Sequence, residues 1–480
     1  MSPRIPLARS ATIVRRSPAR SAPRARRNAT ATVALCAVAA CSFDPRGAAG
    51  DAGTPPDAQA DAARADAAPD CPAALLARIS VDGQMPVPGA SDPVVHIRLG
   101  DSVRLSAAGS CVQTPPIAYR WQIGPLDATT NTLVPSLQAR DVDLVGRVPG
   151  RAYVAQLTVT DGAGNEAHAN ALAFDVHGWQ KVDGLPGGQA IDDLSFGGGA
   201  LWIASREGAF RFDPAAGTFT NLASAWTFTG PDTFDRDIGS VWYDPDAAVV
   251  WLAARGNAAG LWRGDPAAQT LSFVRYDAAD ALGASTTVND IAPAFPGVRI
   301  ATNLGVTTAP DGATFAGAIA PPPTVVEAIG AAPGTTWLGG IHLWALDRAG
   351  VDLDPFGVSA GGDSKIRDIA IADDGPMWLA SDALGAAVAD AATGEVTARY
   401  TMADGLPSDN VRAVAVDGRH AWLATKSGAA RFNADRGQWI AMGAQSGLED
   451  RTDLKSIVVD PATGDVYAGS GKGLVYIRRP

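Results

Sequence analysis

Five histidines, four cysteines and a recurring set of charged residues are the groups in this 480-residue chain that could do chemistry. His96 and His168 fall in one region, His177 at its end, and His342 and His420 much further on. Their spacing puts no two of them together on one metal, and none is assigned as a ligand. The chain contains no His-Glu-x-x-His, Gly-x-Ser-x-Gly or Cys-x-x-Cys spacing. Gly197-Gly198-Gly199 is followed by no helical pattern, so it reads as a hairpin turn and not as a phosphate cradle. Asp244-Pro245-Asp246 and Asp373-Asp374-Gly375 could hold calcium weakly but lack the ligand ladder of a dedicated calcium loop. No other cofactor and no catalytic set is implied.

A second constellation emerges when the chain is aligned with itself. Between Gly184 and Pro480 a two-strand pattern recurs seven times. The second strands read Leu201-Trp202-Ile203-Ala204, Val250-Trp251-Leu252-Ala253, Arg299-Ile300-Ala301-Thr302, Thr336-Trp337-Leu338-Gly339, Met377-Trp378-Leu379-Ala380, Ala421-Trp422-Leu423-Ala424 and Val466-Tyr467-Ala468-Gly469. Successive copies are about 44 residues apart, the length of a four-stranded propeller blade. The first strands run over 190–196, 237–243, 287–293, 325–331, 365–371, 410–416 and 453–459. After the first apolar residue of each comes a polar or small position: Asp192, Gly239, Asn289, Glu327, Arg367, Arg412 and Lys455. If these line a central axis, the last three form a cationic arc able to hold a carboxylate or sulfate. Ordinary wet strand ends are the simpler account.

The elements that must position those residues follow from the repeats: an all-β fold, a seven-bladed β-propeller over 178–480. Each Trp is assigned to packing between sheets, where a wide ring meets a small neighbour. The last copy ends at its third strand, Leu474-Val475-Tyr476-Ile477, while Trp179-Gln180-Lys181-Val182 precedes the first copy unassigned. The two are expected to pair and so remove an exposed edge. Gly405 to Asn433, with Trp422, Thr425, Gly428 and Arg431, resembles the two-component regulator propeller repeat. That family usually places its propeller before a membrane span and a kinase, and neither is found here.

Residues 71–177 change to period-two alternation, in Val103-Arg104-Leu105, Tyr119-Arg120-Trp121-Gln122 and Tyr153 to Asp161, which predicts a small β-sandwich. Val103 to Ser110, Tyr119, Trp121 and Leu157 to Asp161 resemble the PKD family of immunoglobulin-like domains. Trp121 is expected in its core.

The N-terminal 40 residues hold eight Arg and no acid, ending in a short apolar run and Val38-Ala39-Ala40-Cys41. This resembles the lipobox of bacterial lipoproteins, which implies an acylated Cys41, and Ser42 in place of Asp implies the outer membrane. Residues 41–70, with six Asp among Ala, Gly and Pro, read as a disordered acidic tether. Beyond Cys41 only Cys71 and Cys111 remain, an isolated pair that reads as a disulfide in an oxidising compartment. Residues 41–480 carry 31 basic against 50 acidic side chains, which disfavours a nucleic-acid partner. The expectation is a monomeric, exported, lipid-anchored binding protein whose propeller recognises a protein or a glycan. The alternative is an exported propeller lyase or hydrolase acting on polysaccharide or a cyclic ester at the channel mouth.

Overall fold

The structure is a computed structural model that describes residues 75–82, 94–125, 138–145, 152–185, 190–229, 237–254, 260–275, 287–293, 297–309, 316–319, 325–332, 334–348, 351–357, 364–372, 375–418, 420–434 and 437–479. Cys41, Cys71, Asp373 and Asp374 lie outside them, as do the leader and tether. Almost every described element is a strand. Among the described residues no helix is long and apolar enough to cross a membrane.

The strands before residue 178 form sheets around one apolar core. Val94–Arg98, Leu172–His177, Ala152–Thr160 and Ala118–Pro125 lie side by side, with Glu166–His168 against Ala152–Thr160. Ser80–Val81, Ser102–Ser106 and Asp141–Val145 make a second sheet. Alternation does the work expected of it: Leu172, Phe174 and Val176 are buried while the residues between them are not. Trp121 is fully buried and its indole N–H donates to the Ala139 carbonyl at 2.9 Å. Cys111 opens a two-residue strand paired with Leu75–Leu76 and is disulfide-bonded.

From residue 180 onward the described strands fall into seven sheets. Five are plain four-stranded meanders in chain order. The second gains a fifth strand that the repeats do not reveal, Thr227–Thr229, lying parallel to Thr270–Arg275. It is introduced by a helical turn, Leu222–Ala225, capped by the Asn221 side chain. The last sheet is completed by Gln180–Lys181, which pairs with Leu474 to Ile477 in the register Gln180↔Tyr476 and Lys181↔Val475. Val182 N–H donates to Leu474 O at 3.0 Å, so the expected pairing is present. First strands contact one another in succession, and Leu454–Val459 of the last sheet contacts Ile191–Gly197 of the first. The arrangement is a propeller-like cycle.

Local sequence explains why the copies adopt the same shape. A Ser or Thr at the end of the second strand and a Gly three residues on make the turn into the third. Ser205, Thr302, Thr425 and Ser470 each donate a hydroxyl to the carbonyl of Gly208, Gly305, Gly428 and Gly473. Gly428 sits at φ 137°, and a Cβ there would lie 2.2 Å from the Met442 carbonyl oxygen, so only glycine fits. The Trp residues are core: Trp202, Trp251, Trp337, Trp378 and Trp422 are at most 2% exposed. Gly197 ends its strand and Gly198 opens the turn, and the Tyr243 side chain of the next sheet lies on both, a ring carbon 2.1 Å and the hydroxyl 2.7 Å from where their Cβ atoms would be. That run is a packing surface for an aromatic ring.

The two regions share one core. Trp179 is buried, meets Trp422 edge-on at 6.1 Å and points its N–H at the Met442 sulfur, 3.2 Å away. Arg98 and Arg431, both nearly fully buried, lie over the Trp422 ring at 5.0 and 5.3 Å. Asp101 bridges the two guanidiniums, and Arg98 also donates to Gly464 O at 2.6 Å and to Asp417 at 3.3 Å. Trp179→Ala removes both the ring contact and the filler beside the closing strand. We expect a loss of roughly 3–5 kcal/mol in urea unfolding, several times that of Tyr476→Phe, which deletes only one exposed hydrogen bond to Gln180.

Candidate functional site

The seven positions singled out by the repeat alignment have a structural meaning that periodicity could not supply. In six sheets the register between first and second strands slips by one residue there: between Ile191 and Asp193, Ile238 and Ser240, Val288 and Asp290, Ile366 and Asp368, Val411 and Ala413, and Leu454 and Ser456. Asp192, Gly239, Asn289, Arg367, Arg412 and Lys455 are therefore β-bulge residues, freed from the ladder. In the fourth sheet Glu327 stands just before the strand Ala328–Ala332.

Asp192, Asn289, Glu327, Arg367, Arg412 and Lys455 line one cavity of about 690 Å³ together with Arg206, Thr287, Val288, Asp382 and Asn410. The structure thus brings all five charged candidates to one mouth. The three cations of the arc, Arg367, Arg412 and Lys455, are each paired with an acid. Lys455 contacts Asp192 across the junction of last and first sheets at 2.6 Å. Arg367 contacts Glu327 of the preceding sheet at 3.0 Å and Asp382 of its own at 2.8 Å. Lys365 reaches Glu327 at 2.5 Å, and Arg412 meets Asp453 of the next sheet at 3.0 Å. Asp192 and Glu327 are themselves aligned positions; the other two acids come from elsewhere, Asp382 from a second-to-third-strand turn and Asp453 from the residue just before the first strand of the last sheet. The Arg367–Asp382 and Arg412–Asp453 pairs are partly exposed on both sides and contribute roughly 0–1 kcal/mol each, so a ligand could exchange them at small cost, whereas Asp192 and Glu327 are nearly buried beneath their cations.

One residue further along the same bulge lies a feature that sequence reasoning missed. Asp193, Asp290 and Asp368, on the first, third and fifth sheets, each accept the N–H of the following residue on one oxygen. The other oxygen accepts from the next sheet's backbone, at Val241, Ile329 and Val414 respectively. The receiving sheets carry Ser240, Ala328 and Ala413 at the equivalent place, and the Ser240 hydroxyl also donates to Asp193. Small residues there leave room for the arriving carboxylate. The signal was visible as Asp alternating with Ser or Ala, but only the bulge shows that these side chains reach across. Burial pushes Asp290 and Asp368 up to about 7, opposed by their two backbone donors and helped by repulsion among the three carboxylates.

Other titratable residues near the sheets and their junctions resolve as follows. The Asp244 carboxylate accepts the N–H groups of Asp246 and Ala247, so it caps a turn. Tyr243 stacks on Trp202 between sheets at 5.9 Å and does not line the mouth. His96 and His177, which their spacing in the chain did not bring together, are adjacent, with Nδ1 of one 3.0 Å from Nε2 of the other. Eighty-one residues separate them in sequence, and parallel pairing of Val94–Arg98 with Leu172–His177 joins them.

An all-β protein with a propeller-like cycle of sheets and one polar, charge-paired mouth is the class that fold and site define. No family model matches the chain, and no curated protein matches it in sequence. Among solved structures, a chain from "Crystal Structure of Mitotic Checkpoint Complex" aligns at 10% identity and a TM-score of 0.47, over 60% of this chain and 86% of that one.

The raised carboxyls set a pH dependence. The folded state holds the Asp290 and Asp368 protons more tightly than the unfolded chain, so their contribution to stability is complete below the ordinary carboxylate range. It is lost as pH rises through about 7. Asp290→Asn with Asp368→Asn should flatten the fall in Tm between about pH 5 and pH 8. Parallel melting curves for the two proteins across that range would contradict it.

Proposed function

We propose that this chain is an exported, lipid-anchored binding protein whose mouth recognises a polar ligand, a segment of another protein or a glycan, without catalysis. In this reading the seven sheets are the blades of a closed seven-bladed propeller, and residues 71–177 are a PKD-like, immunoglobulin-like sandwich. Cys41 carries the lipid at the outer membrane, residues 42–70 provide reach, and Cys71 is the partner of Cys111. The chain acts as a monomer at the cell envelope.

The observation that carries the reading is the cavity itself. Six of the seven sheets contribute to it, its described lining is mostly polar, and two of its ion pairs, Arg367–Asp382 and Arg412–Asp453, are exposed enough to exchange. A segment bearing both signs of charge can replace Arg412–Asp453 or Arg367–Asp382 contacts by its own carboxylates and cations. A protein segment is favoured over a glycan, because no aromatic ring stands among the described lining residues to stack on a sugar face. Clustering of Arg367 and Arg412 with a His and a Tyr at one mouth would favour the enzyme alternative. The two arginines do line the mouth, but neither partner type is among its described residues.

Pull-down and glycan-array capture with residues 71–480, freed of leader and tether, tests the reading. Arg367→Ala with Arg412→Ala should weaken capture at least about tenfold while leaving Tm nearly unchanged. Equal capture by the double variant would remove the mouth from recognition. Separately, Cys41→Ser should abolish incorporation of labelled palmitate and release the protein from sedimented membranes.

A further inference from the structure

We propose that His96, Asp175 and His177 form a binding site for a divalent transition metal of the zinc class, placed where the N-terminal sandwich hands over to the cycle of sheets. The three side chains bring one ligand atom each to within 4.8 Å of the others. His96 Nδ1 and His177 Nε2 are 3.0 Å apart, and an Asp175 carboxylate oxygen lies 3.5 Å from the first and 3.6 Å from the second.

Those edges are what three corners of a metal tetrahedron require. A point equidistant from the three atoms lies about 2.0 Å from each, matching zinc–nitrogen and zinc–oxygen bond lengths. The carboxylate is too far from either ring to be a hydrogen-bond partner, yet it sits where a third ligand belongs. A hydrogen bond between two neutral imidazoles would account for the 3.0 Å contact but gives the carboxylate no role.

The backbone holds this triangle in place. His96 and Asp175 are direct partners in the parallel ladder, and His177 follows Asp175 by two residues, so all three share one face of the sheet. The intervening Ile97, Phe174 and Val176 fill the core on the other face. The site stays open on one side, since His96 also lines the cavity of about 590 Å³ between the sandwich and the strands around Asp417 and Arg431. A water would complete the coordination there. Arg98, on the same face as His96, is committed to Gly464 O, Asp417 and Asp101 and so does not occupy the site.

The location gives the ion a task. Val94–Arg98 ends in the arginine buried against Trp422, and Leu172–His177 runs through Gly178 into Trp179, which packs on the same ring. A metal across the two strands ties together the two segments that carry the junction.

The test uses the full chain without a histidine tag, its free thiols alkylated. Calorimetric titration with Zn²⁺ should show one site with a Kd of about 10 µM or tighter. Co²⁺ should give the intense visible absorption of a four-coordinate ion. His96→Gln, at an exposed position, should weaken binding at least about tenfold, as should Asp175→Asn, whereas His168→Gln should not. Absence of binding below about 100 µM, or a Zn²⁺ affinity unchanged in His96→Gln, would overturn the proposal. Binding lost in His96→Gln with the melting temperature of the metal-free protein preserved would establish it independently of any effect on folding.

Discussion

Each sheet after residue 180 is apolar on both faces, and that constraint governs the rest. Second strands such as Ala200–Ser205, Val249–Ala254 and Met377–Ser381 are buried at every residue, which is satisfied only if every sheet has a neighbour on each side. A row of such sheets would leave two bare ends. Contact between the last sheet and the first removes them: Tyr467 and Leu474 pack with Ile191, Leu194 and Leu201 in a single cluster. The strand Gln180–Lys181 then covers the edge that would remain in the last sheet.

The bulge in the first strand turns this packing rule into a functional surface. A plain ladder would alternate side chains between two apolar faces and have nowhere to put a charge. The extra residue breaks the alternation in six of the seven sheets, sending a side chain to the mouth in five of them, and in three the next residue, an Asp, reaches the neighbouring sheet. Rim ion pairs and buried carboxylate latches are thus adjacent consequences of one backbone irregularity. The latches use backbone N–H groups as partners, so they tolerate any side chain in the receiving strand provided that it is small at the contact point.

The junction between the two regions shows a different solution to burying charge. Arg98 and Arg431 are like charges close together, which would be unfavourable without compensation. Asp101 and Asp417 supply opposite charge, and the Trp422 face accepts both guanidiniums. Arg431 is nonetheless held below its usual range by burial, the cost that remains after this compensation. Such a contact fixes orientation more than it adds stability.

The strands, their repeat, the closing pair and the burial of the Trp residues were all legible in the amino-acid sequence, because each depends on local periodicity or on counting copies. Residues 192, 327, 367, 412 and 455 could also be aligned, since they hold equivalent places. What the chain did not reveal were the relations between copies. Asp382, which with Glu327 compensates Arg367, comes from a turn outside the aligned strands, and the Asp453 that meets Arg412 belongs to the next copy. The pairing of His96 with His177 spans two strands joined only by a parallel ladder, and the fifth strand Thr227–Thr229 belongs to one copy alone. Sequence by itself determined what each sheet is, since hydrogen bonding and side-chain alternation act within a few residues. Tertiary structure alone decided which charges face each other, because electrostatic partnership depends on distance in space, and the cycle brings together residues such as Asp192 and Lys455 from its opposite ends.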